Sequence, residues 1–570
     1  MKRIFATLDP FLESGPVLGR KVANAGFLSA LLEADPFDEY HFFLENRQRA
    51  EEFLEQARER FPGRAGKLRT LARAALPGEL ARGGHHVFHL SDCICHQHAV
   101  ARLRNLHAPE LFPITGPIHS LSYADYPAAF LAHLWPGTTP RDCIVCTSRR
   151  GEEVVRRQFA ALRAGYGLDE QTHPGPTLRR IPLGTDPGAL APATASERAR
   201  ARERLGIPPG KVVLLVFGRI SHHSKMDLLP LVAALARCAA RGLDLGEVLL
   251  MLGGWVADGE NYHEAVAAMG ARAGVEVRVD SRPDEARKAE LFRAADVFIS
   301  IADNPQETFG LSILEAKSAG LPVLASHYDG YRDLVRHGTD GLLVPTLADT
   351  ATPDVDALAP VLFGSDSHLL LAQRTVVEVP ALAEALLSLV RSPELRASMG
   401  AAGRRHLERE FTWARVVRRH LELWEELWTL SAERFSGAHP LEARYGALFG
   451  HYASAPAADD LALRLSPAGE RVLEGRELPV VYPGLAQVVD KEGLRRALFA
   501  ARKPTTLGAL AERLAPGPEA ALTGSAGKDA EEDGANGPDG SDGPRRAHGL
   551  SLARALVLWA LKHDLLERAS

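Results

Sequence analysis

The chain has 570 residues, and 67 Lys plus Arg face 72 Asp plus Glu for a net charge of −5. A single core rarely grows past about 250–300 residues, so this length predicts at least two cores and roughly three to four domains. The near balance of charge argues against a protein that lives on nucleic-acid phosphates or on an anionic membrane face. With 46% hydrophobic residues and no apolar run of about 18 residues, a soluble globular chain without a transmembrane helix is expected. Five cysteines in this length make no disulfide framework, so a reducing cytoplasm is the expected setting. Only eleven basic residues are lysines and 56 are arginines. Against that compositional bias scattered arginines carry little information, and each lysine carries more.

The start, Met-Lys-Arg-Ile-Phe-Ala-Thr-Leu-Asp-Pro, meets Asp9 and Pro10 before a signal-length apolar stretch develops, and reads as a buried strand over 2–8. A Gly-containing turn and an apolar-periodic helix over 22–32 follow, the order in which a Rossmann-like unit opens. Short apolar runs at 86–90, 114–118 and 143–147 predict further strands of a parallel sheet. A seam falls at Ile-Pro-Leu-Gly-Thr-Asp-Pro, ending at Pro187, and a second α/β rhythm begins after it. Strands are expected at 212–217, 248–252, 275–279, 297–301 and 323–326, with helices at 228–239, 262–273 and 310–319. Two doubly wound halves in tandem place a ligand crevice where the carboxyl ends of both sheets face each other.

Residues 411–430 predict one long amphipathic helix. Beyond it lie helical patterns at 494–501, 506–514 and 551–566, separated by a Gly/Asp-rich stretch that buries no core, so 520–547 is expected to be disordered. The tail resembles a winged-helix arrangement faintly. Its residues from Ser431 onward hold 17 basic and 19 acidic side chains. That balance favours a docking or oligomerisation module over a DNA reader.

Two loops carry the chemistry. In Asn304-Pro-Gln-Glu307-Thr-Phe-Gly-Leu-Ser-Ile-Leu-Glu315 a strand ends, a polar loop follows and a helix starts near Gly310. The first N–H groups of that helix point into the crevice and suit a phosphate. Glu307 sits where a carboxylate can accept from sugar hydroxyls, and Glu315, inside the helix, where it can reach a ribose diol. In Phe217-Gly218-Arg219-Ile-Ser-His-His-Ser-Lys225 a strand ends in Gly-Arg with a lysine in the next loop, a pair able to clamp a diphosphate.

On these residues the second half resembles the family 4 retaining glycosyltransferases of GT-B fold. Glu307 and Glu315 match the family's Glu-x7-Glu motif, followed by Phe309-Gly310-Leu311 and Gly-Leu-Pro-Val; Gly218, Arg219 and Lys225 match its Gly-Arg…Lys loop. Asp340-Gly-Leu-Leu-Val-Pro345, the seam and Arg-Glu-Phe-Thr-Trp413 match as well. The likeness is strong over 175–430, weaker over 1–175 and absent beyond 435. It implies two Rossmann-like domains, 1–185 and 186–410, with the helix 411–430 returning to the first, and an added extension over 435–570. It implies that Arg219 and Lys225 hold the donor diphosphate, Glu315 the ribose and Glu307 the transferred sugar. In the first half, Thr115-Gly-Pro-Ile-His119-Ser matches the place of a histidine facing the donor sugar, and Ser14-Gly15 the loop that closes over the phosphates. The implied catalytic set is Glu307, His119, Arg219 and Lys225. The donor set is Ser14, Gly15, Gly218, Arg219, Lys225, Glu307, Phe309, Gly310, Leu311 and Glu315.

The implied reaction is retaining transfer of a sugar from a UDP- or GDP-linked donor to an unidentified acceptor, without a metal or other cofactor. Rival expectations are a GT-B sugar phosphorylase and a non-catalytic nucleotide-sugar scaffold with a partner-docking tail. The expected partners are the nucleotide sugar and its acceptor, with no nucleic acid; peripheral membrane contact and oligomerisation through the tail stay open. Two departures leave the donor sugar open: Asp-Asn-Pro-Gln replaces the usual Pro-Ser type before Glu307, and His222-His223 lie between Arg219 and Lys225. Cys93, Cys95, His96 and His98 with Cys143 and Cys146 have the residue types of a zinc site, but the strand-like run around Cys143 reads as core, where Cys acts as a small apolar residue. Asp354-Val-Asp356 lies in an insertion after Pro345 and is expected in solvent.

Overall fold

Residues 4–180 build a seven-stranded sheet whose strands are Ile4–Thr7 (β1), Glu39–Leu44 (β2), Leu68–Ala72 (β3), His85–His89 (β4), Ile114–Pro117 (β5), Asp142–Cys146 (β6) and Thr177–Arg180 (β7). In this computed structural model, which describes residues 2–12, 19–257, 259–362, 366–482, 484–485, 488–515 and 542–569, every pair in that sheet is parallel. The order is β3-β2-β1-β4-β5-β6-β7. Buried runs such as Ile-Phe-Ala-Thr in β1 and Asp-Cys-Ile-Val-Cys in β6 fit strands covered on both faces by helices.

The second sheet repeats the plan with Val212–Arg219 (β8), Val248–Trp255 (β9), Glu276–Ser281 (β10), Val297–Ser300 (β11), Val323–Ser326 (β12) and Gly341–Val344 (β13) in the order β10-β9-β8-β11-β12-β13. Each sheet reverses direction beside its first strand, between β1 and β4 and between β8 and β11. Crevices of doubly wound sheets open at the carboxyl side of such a switch point. Gly254 shows how tightly β8 and β9 end: at φ +134° its missing Cβ would strike the Gly218 carbonyl.

The helix Trp413–Thr429 returns to the first domain. Its Val416, Val417, Leu423, Trp424 and Leu427 join the core made by Phe5, Phe27, Phe37 and Phe42. Thr185 N–H donates to the Phe411 carbonyl at 2.9 Å where the chain crosses back. Trp413 fills the space left by Gly26 and Gly184, where any Cβ would meet its indole. Trp424 and Trp428 donate to Thr115 Oγ1 at 3.1 Å and to the His86 carbonyl at 2.8 Å.

After β13 the insertion forms a short antiparallel pair, Thr346–Ala348 (β14) with Thr375–Val377 (β15), around the helices Pro353–Leu358 and Asp366–Ala372. Asp354 lies at its surface, paired with Arg374. Beyond residue 435 the extension has its own core, built on Leu463, Leu494, Leu498, Leu507, Leu510 and Val557. It holds helices and a small antiparallel sheet in which Ala462–Leu465 (β16) lies between Thr505–Thr506 (β17) and Leu566–Arg568 (β18). Two readings of the tail need correction. Most of the stretch expected to lack structure, 520–541, lies outside the described residues, but 542–547 are the first turns of the helix Asp542–Lys562. That helix starts earlier and ends sooner than the apolar pattern implied, because Leu566 leaves it to begin β18. It packs against the helix Gln97–His107, with the His548 and His107 rings 4.9 Å apart. Arg102 pairs with Glu442 at 2.9 Å and Arg434 donates to the Asn105 carbonyl at 2.7 Å, tying the connecting segment to the first domain. Among the described residues no helix is long and apolar enough to cross a membrane.

Candidate active site

The helix Leu311–Ser318 begins just after β11, and its position is set by what lies behind it. Gly310 caps it at φ +109°, and a Cβ there would press into the Tyr331 ring at 2.5 Å, so only glycine brings the helix start this close. At the other end Lys317, fully buried, pairs with the equally buried Asp340 at 3.0 Å, while His406 Nδ1 lies 2.8 Å from the same carboxylate. Removing one member of such a buried pair typically costs about 3–5 kcal/mol, so this network anchors the helix. Leu311 opens the helix, and Phe309, just ahead of its cap, packs in the core beneath it.

Lys225 Nζ and the Glu307 carboxylate form an ion pair in which the side chains are only 15% and 12% exposed. Tyr331 OH also donates to Glu307 Oε2 at 3.2 Å, and Phe309 N–H reaches Oε1 at 3.3 Å. Burial alone would raise the Glu307 pKa, but Lys225 and these donors outweigh it and the carboxyl is held below its ordinary value. Arg219 ends β8, and its Nη2 donates to Gln306 Oε1 at 3.1 Å and to the Ser224 carbonyl at 3.4 Å. Gly218 precedes it at φ +150° against the Lys225 side chain.

Glu315 pairs with Lys288 at 2.7 Å. Burial wins here, raising the Glu315 pKa although Lys288 opposes the shift. The Lys288 ammonium also lies 5.5 Å from the Phe217 ring centre. Two further carboxyls border the site. Asp303 is buried, with Oδ1 unpartnered and Oδ2 accepting from Asp227 N–H at 3.3 Å, and burial pushes its pKa up to about 7. Asp329, burdened by burial and by the nearby Glu307 charge, is pushed up to about 8.

Across the crevice, His119 follows β5. Its Nε2 lies 2.8 Å from the Ser91 carbonyl, which makes Nε2–H the donor and leaves Nδ1 as the acceptor. Burial lowers its pKa, with the Ser91 carbonyl opposing, so the ring is neutral near pH 7. The next residue, Ser120, donates through Oγ to the Gln306 carbonyl at 3.2 Å. Ser14 and Gly15 lie outside the described residues. Cys93, Cys143 and Cys146 are packed in apolar cores, where burial raises each thiol pKa, to about 12 for Cys143.

The structure thus brings Arg219, Lys225, Glu307, Gly310 and Glu315 to one edge of one sheet, and puts the segment after His119 opposite them. It adds residues that motif matching does not reach: Lys288, Gln306, Tyr331, Asp303 and Tyr123. Lys288 had a signal, being one of eleven lysines, but it lies outside any recognisable spacing.

Residues 197–357 match the family model described as "Glycosyl transferases group 1". A D-inositol 3-phosphate glycosyltransferase of Streptomyces bingchenggensis is 32% identical over 210 residues, 35% of this chain and 41% of that protein. One of Streptomyces griseus subsp. griseus is 32% identical over 276 residues, 47% of this chain and 50% of that protein. The chain therefore spans half or less of the length of these two relatives. HepE of Anabaena, solved in complex with UDP and glucose, superposes with a TM-score of 0.50 at 16% identity, covering 75% of this chain and all of that one. A glycosyltransferase of Rickettsia africae gives 0.50 at 13% identity over 75% of this chain and 99% of that one. Two parallel doubly wound sheets across one crevice, with a helical extension behind, make this a GT-B fold.

Proposed function

We propose that this chain is a retaining glycosyltransferase that moves a sugar from a UDP- or GDP-linked donor to an acceptor held mainly by the first domain. The observation that carries the reading is the Lys225–Glu307 pair, set beside Arg219 at the start of the helix Leu311–Ser318. Two cations and a set of unsatisfied backbone donors converge where a leaving diphosphate gains charge, the arrangement that lowers the barrier to its departure. Glu307, held ionised by Lys225, faces the positive charge that grows on the sugar as the bond to the diphosphate lengthens. Glu315 accepts from the ribose hydroxyls, and His119 accepts through Nδ1 from a hydroxyl of the transferred sugar. The departing diphosphate oxygen takes the acceptor proton on the face it leaves, so configuration is retained and no separate base is required. Protein cations supply the counter-charge, and activity in this reading persists with EDTA.

The names of the curated relatives put D-inositol 3-phosphate first in an acceptor panel, and UDP-glucose, suggested by the ligands of HepE, first among donors. The extension acts as a docking or oligomerisation module, a reading supported by its separate core and by its balance of 17 basic and 19 acidic side chains from Ser431 onward. The chain works in the cytoplasm with its cysteines reduced. The test is nucleotide release from a panel of nucleotide sugars with and without acceptor. Release that needs Lys225 and Glu315 supports the reading; full activity in Lys225→Ala and Glu315→Ala rejects it.

A further inference from the structure

Gln306 stands where the sequence departs from the family pattern, and in the structure each of its polar groups is engaged. The side-chain Oε1 accepts from Arg219 Nη2 at 3.1 Å, and Nε2 donates to the Tyr123 hydroxyl of the first domain. The backbone carbonyl accepts from Ser120 Oγ at 3.2 Å, also from the first domain, and the backbone N–H donates to Asn304 Oδ1 at 3.0 Å. A glutamine amide separates its acceptor from its donors, so one side chain can serve a guanidinium at one end and a phenol oxygen at the other. Tyr123 is itself held: its ring packs edge-on against His368 at 5.0 Å, and His368 Nε2–H donates to the Ser122 carbonyl at 3.1 Å. His368 is fully buried and comes from the insertion after β13, so three separate stretches of chain meet at this amide.

We infer that Gln306 is a positioning residue that couples the first domain to the phosphate-binding guanidinium of Arg219. The inference rests on the proposed reading of the crevice as a nucleoside-diphosphate-sugar site. An arginine on a flexible stem gains affinity for a phosphate when its planar fork is held in place beforehand. Among the described residues both hydrogen bonds of Arg219 use Nη2, so Nε and Nη1 can serve a ligand. With Tyr123 bonded to the amide, Oε1 is oriented toward Arg219 and the fork is fixed. Without it the amide is free to rotate and the fork loses its support. Diphosphate affinity on the second domain therefore depends on a hydroxyl of the first, and by linkage a bound diphosphate strengthens the contact between the domains.

The test is calorimetric titration of the full chain with UDP, GDP and ADP, followed by UMP or the matching monophosphate. For the diphosphate that wild type binds, Tyr123→Phe is expected to raise Kd about threefold to tenfold, the effect of one net hydrogen bond, with the melting midpoint of the free protein lowered by no more than about 2 °C. The monophosphate loses less. Gln306→Met raises Kd at least as much, and Tyr123→Phe added to Gln306→Met changes nothing more, since both act through one bridge. Normal diphosphate affinity in Tyr123→Phe, or fully additive losses in the double variant, overturns the coupling while leaving the glycosyltransferase reading intact. Lys225→Ala separates the two ideas: if wild type binds none of the three diphosphates, or Lys225→Ala binds them as well as wild type, the underlying reading fails and the coupling with it.

Discussion

The two sheets have the same strand order over their first six positions, yet their carboxyl edges differ in kind. The second places charge there: Arg219, Lys225 and Lys288 against Glu307 and Glu315, with each lysine already paired to a glutamate. The first ties the carboxylates of Asp9 and Asp92 to backbone N–H groups of Ser91, Ile94 and Cys95, and sets His119 on the Ser91 carbonyl and Tyr123 on Gln306, over a floor that includes His89, whose charged form is suppressed by burial. One scaffold thus carries an edge of lysine–glutamate ion pairs and an edge whose carboxylates and rings are bonded largely to backbone, decided by the few residues that follow each strand. Pairing each of these lysines with a glutamate keeps the buried charges compensated.

Breaking the charged edge has the largest expected effect. Lys225→Ala leaves Glu307 buried without its main partner and strips a cation from the leaving group, and kcat/KM for the best donor should fall about 100- to 1,000-fold in a nucleotide-release assay. On the first domain's edge, His119→Asn should lower kcat about tenfold while the Kd for the nucleoside diphosphate stays at the wild-type value, since only the contact proposed to the sugar is lost. An equal loss of nucleotide binding would erase the distinction between the edges.

Lys288→Met tests the second ion pair. Donor KM should rise about fivefold to tenfold with kcat little changed, as expected for a group that acts on binding through Glu315. The pH profile sharpens this outcome. The Glu315 pKa is raised, so on acidification it takes up a proton above the ordinary carboxylate range, and the ribose contact proposed for it should weaken. Lys288 opposes that rise, and its removal should move the acid limb of the donor-KM profile to still higher pH.

Asp329→Asn has the smallest expected effect, on stability. Asp329 in the folded chain ionises near pH 8, whereas in the unfolded chain it ionises at the ordinary aspartate value of 3.8. Between those values the folded state holds more protons, so its contribution falls as pH rises and is fully lost above pH 8. The variant, whose asparagine tolerates the φ of +40° found here, should melt about 2–4 °C higher at pH 8.5 and close to wild type at pH 4.

Much of this fold is legible in the sequence. The helix Tyr262–Ala273 and the strand Val323–Ser326 fall where the pattern placed them, because apolar periodicity bounded by glycine or proline reports local structure directly. The short strands β2, β3 and β7 escaped, since β3 and β7 mix arginines with apolar residues and β2 directly follows a polar turn. The sequence pattern runs the last helix on to Leu566 because Leu565 and Leu566 continue an apolar run whose end depends on pairing with β16.

By itself the sequence determined the two α/β halves, the crevice at their carboxyl edges and the positions of Arg219, Lys225, Glu307 and Glu315, all carried by local pattern and spacing. Only the tertiary structure decided the partners: Lys288 on Glu315, Tyr331 on Glu307, and Gln306 between Arg219 and Tyr123. Those contacts join residues 24 to 183 positions apart. No local periodicity encodes them, because the first two and Gln306–Arg219 exist only once the second sheet has assembled, and Gln306–Tyr123 only once the two domains have met.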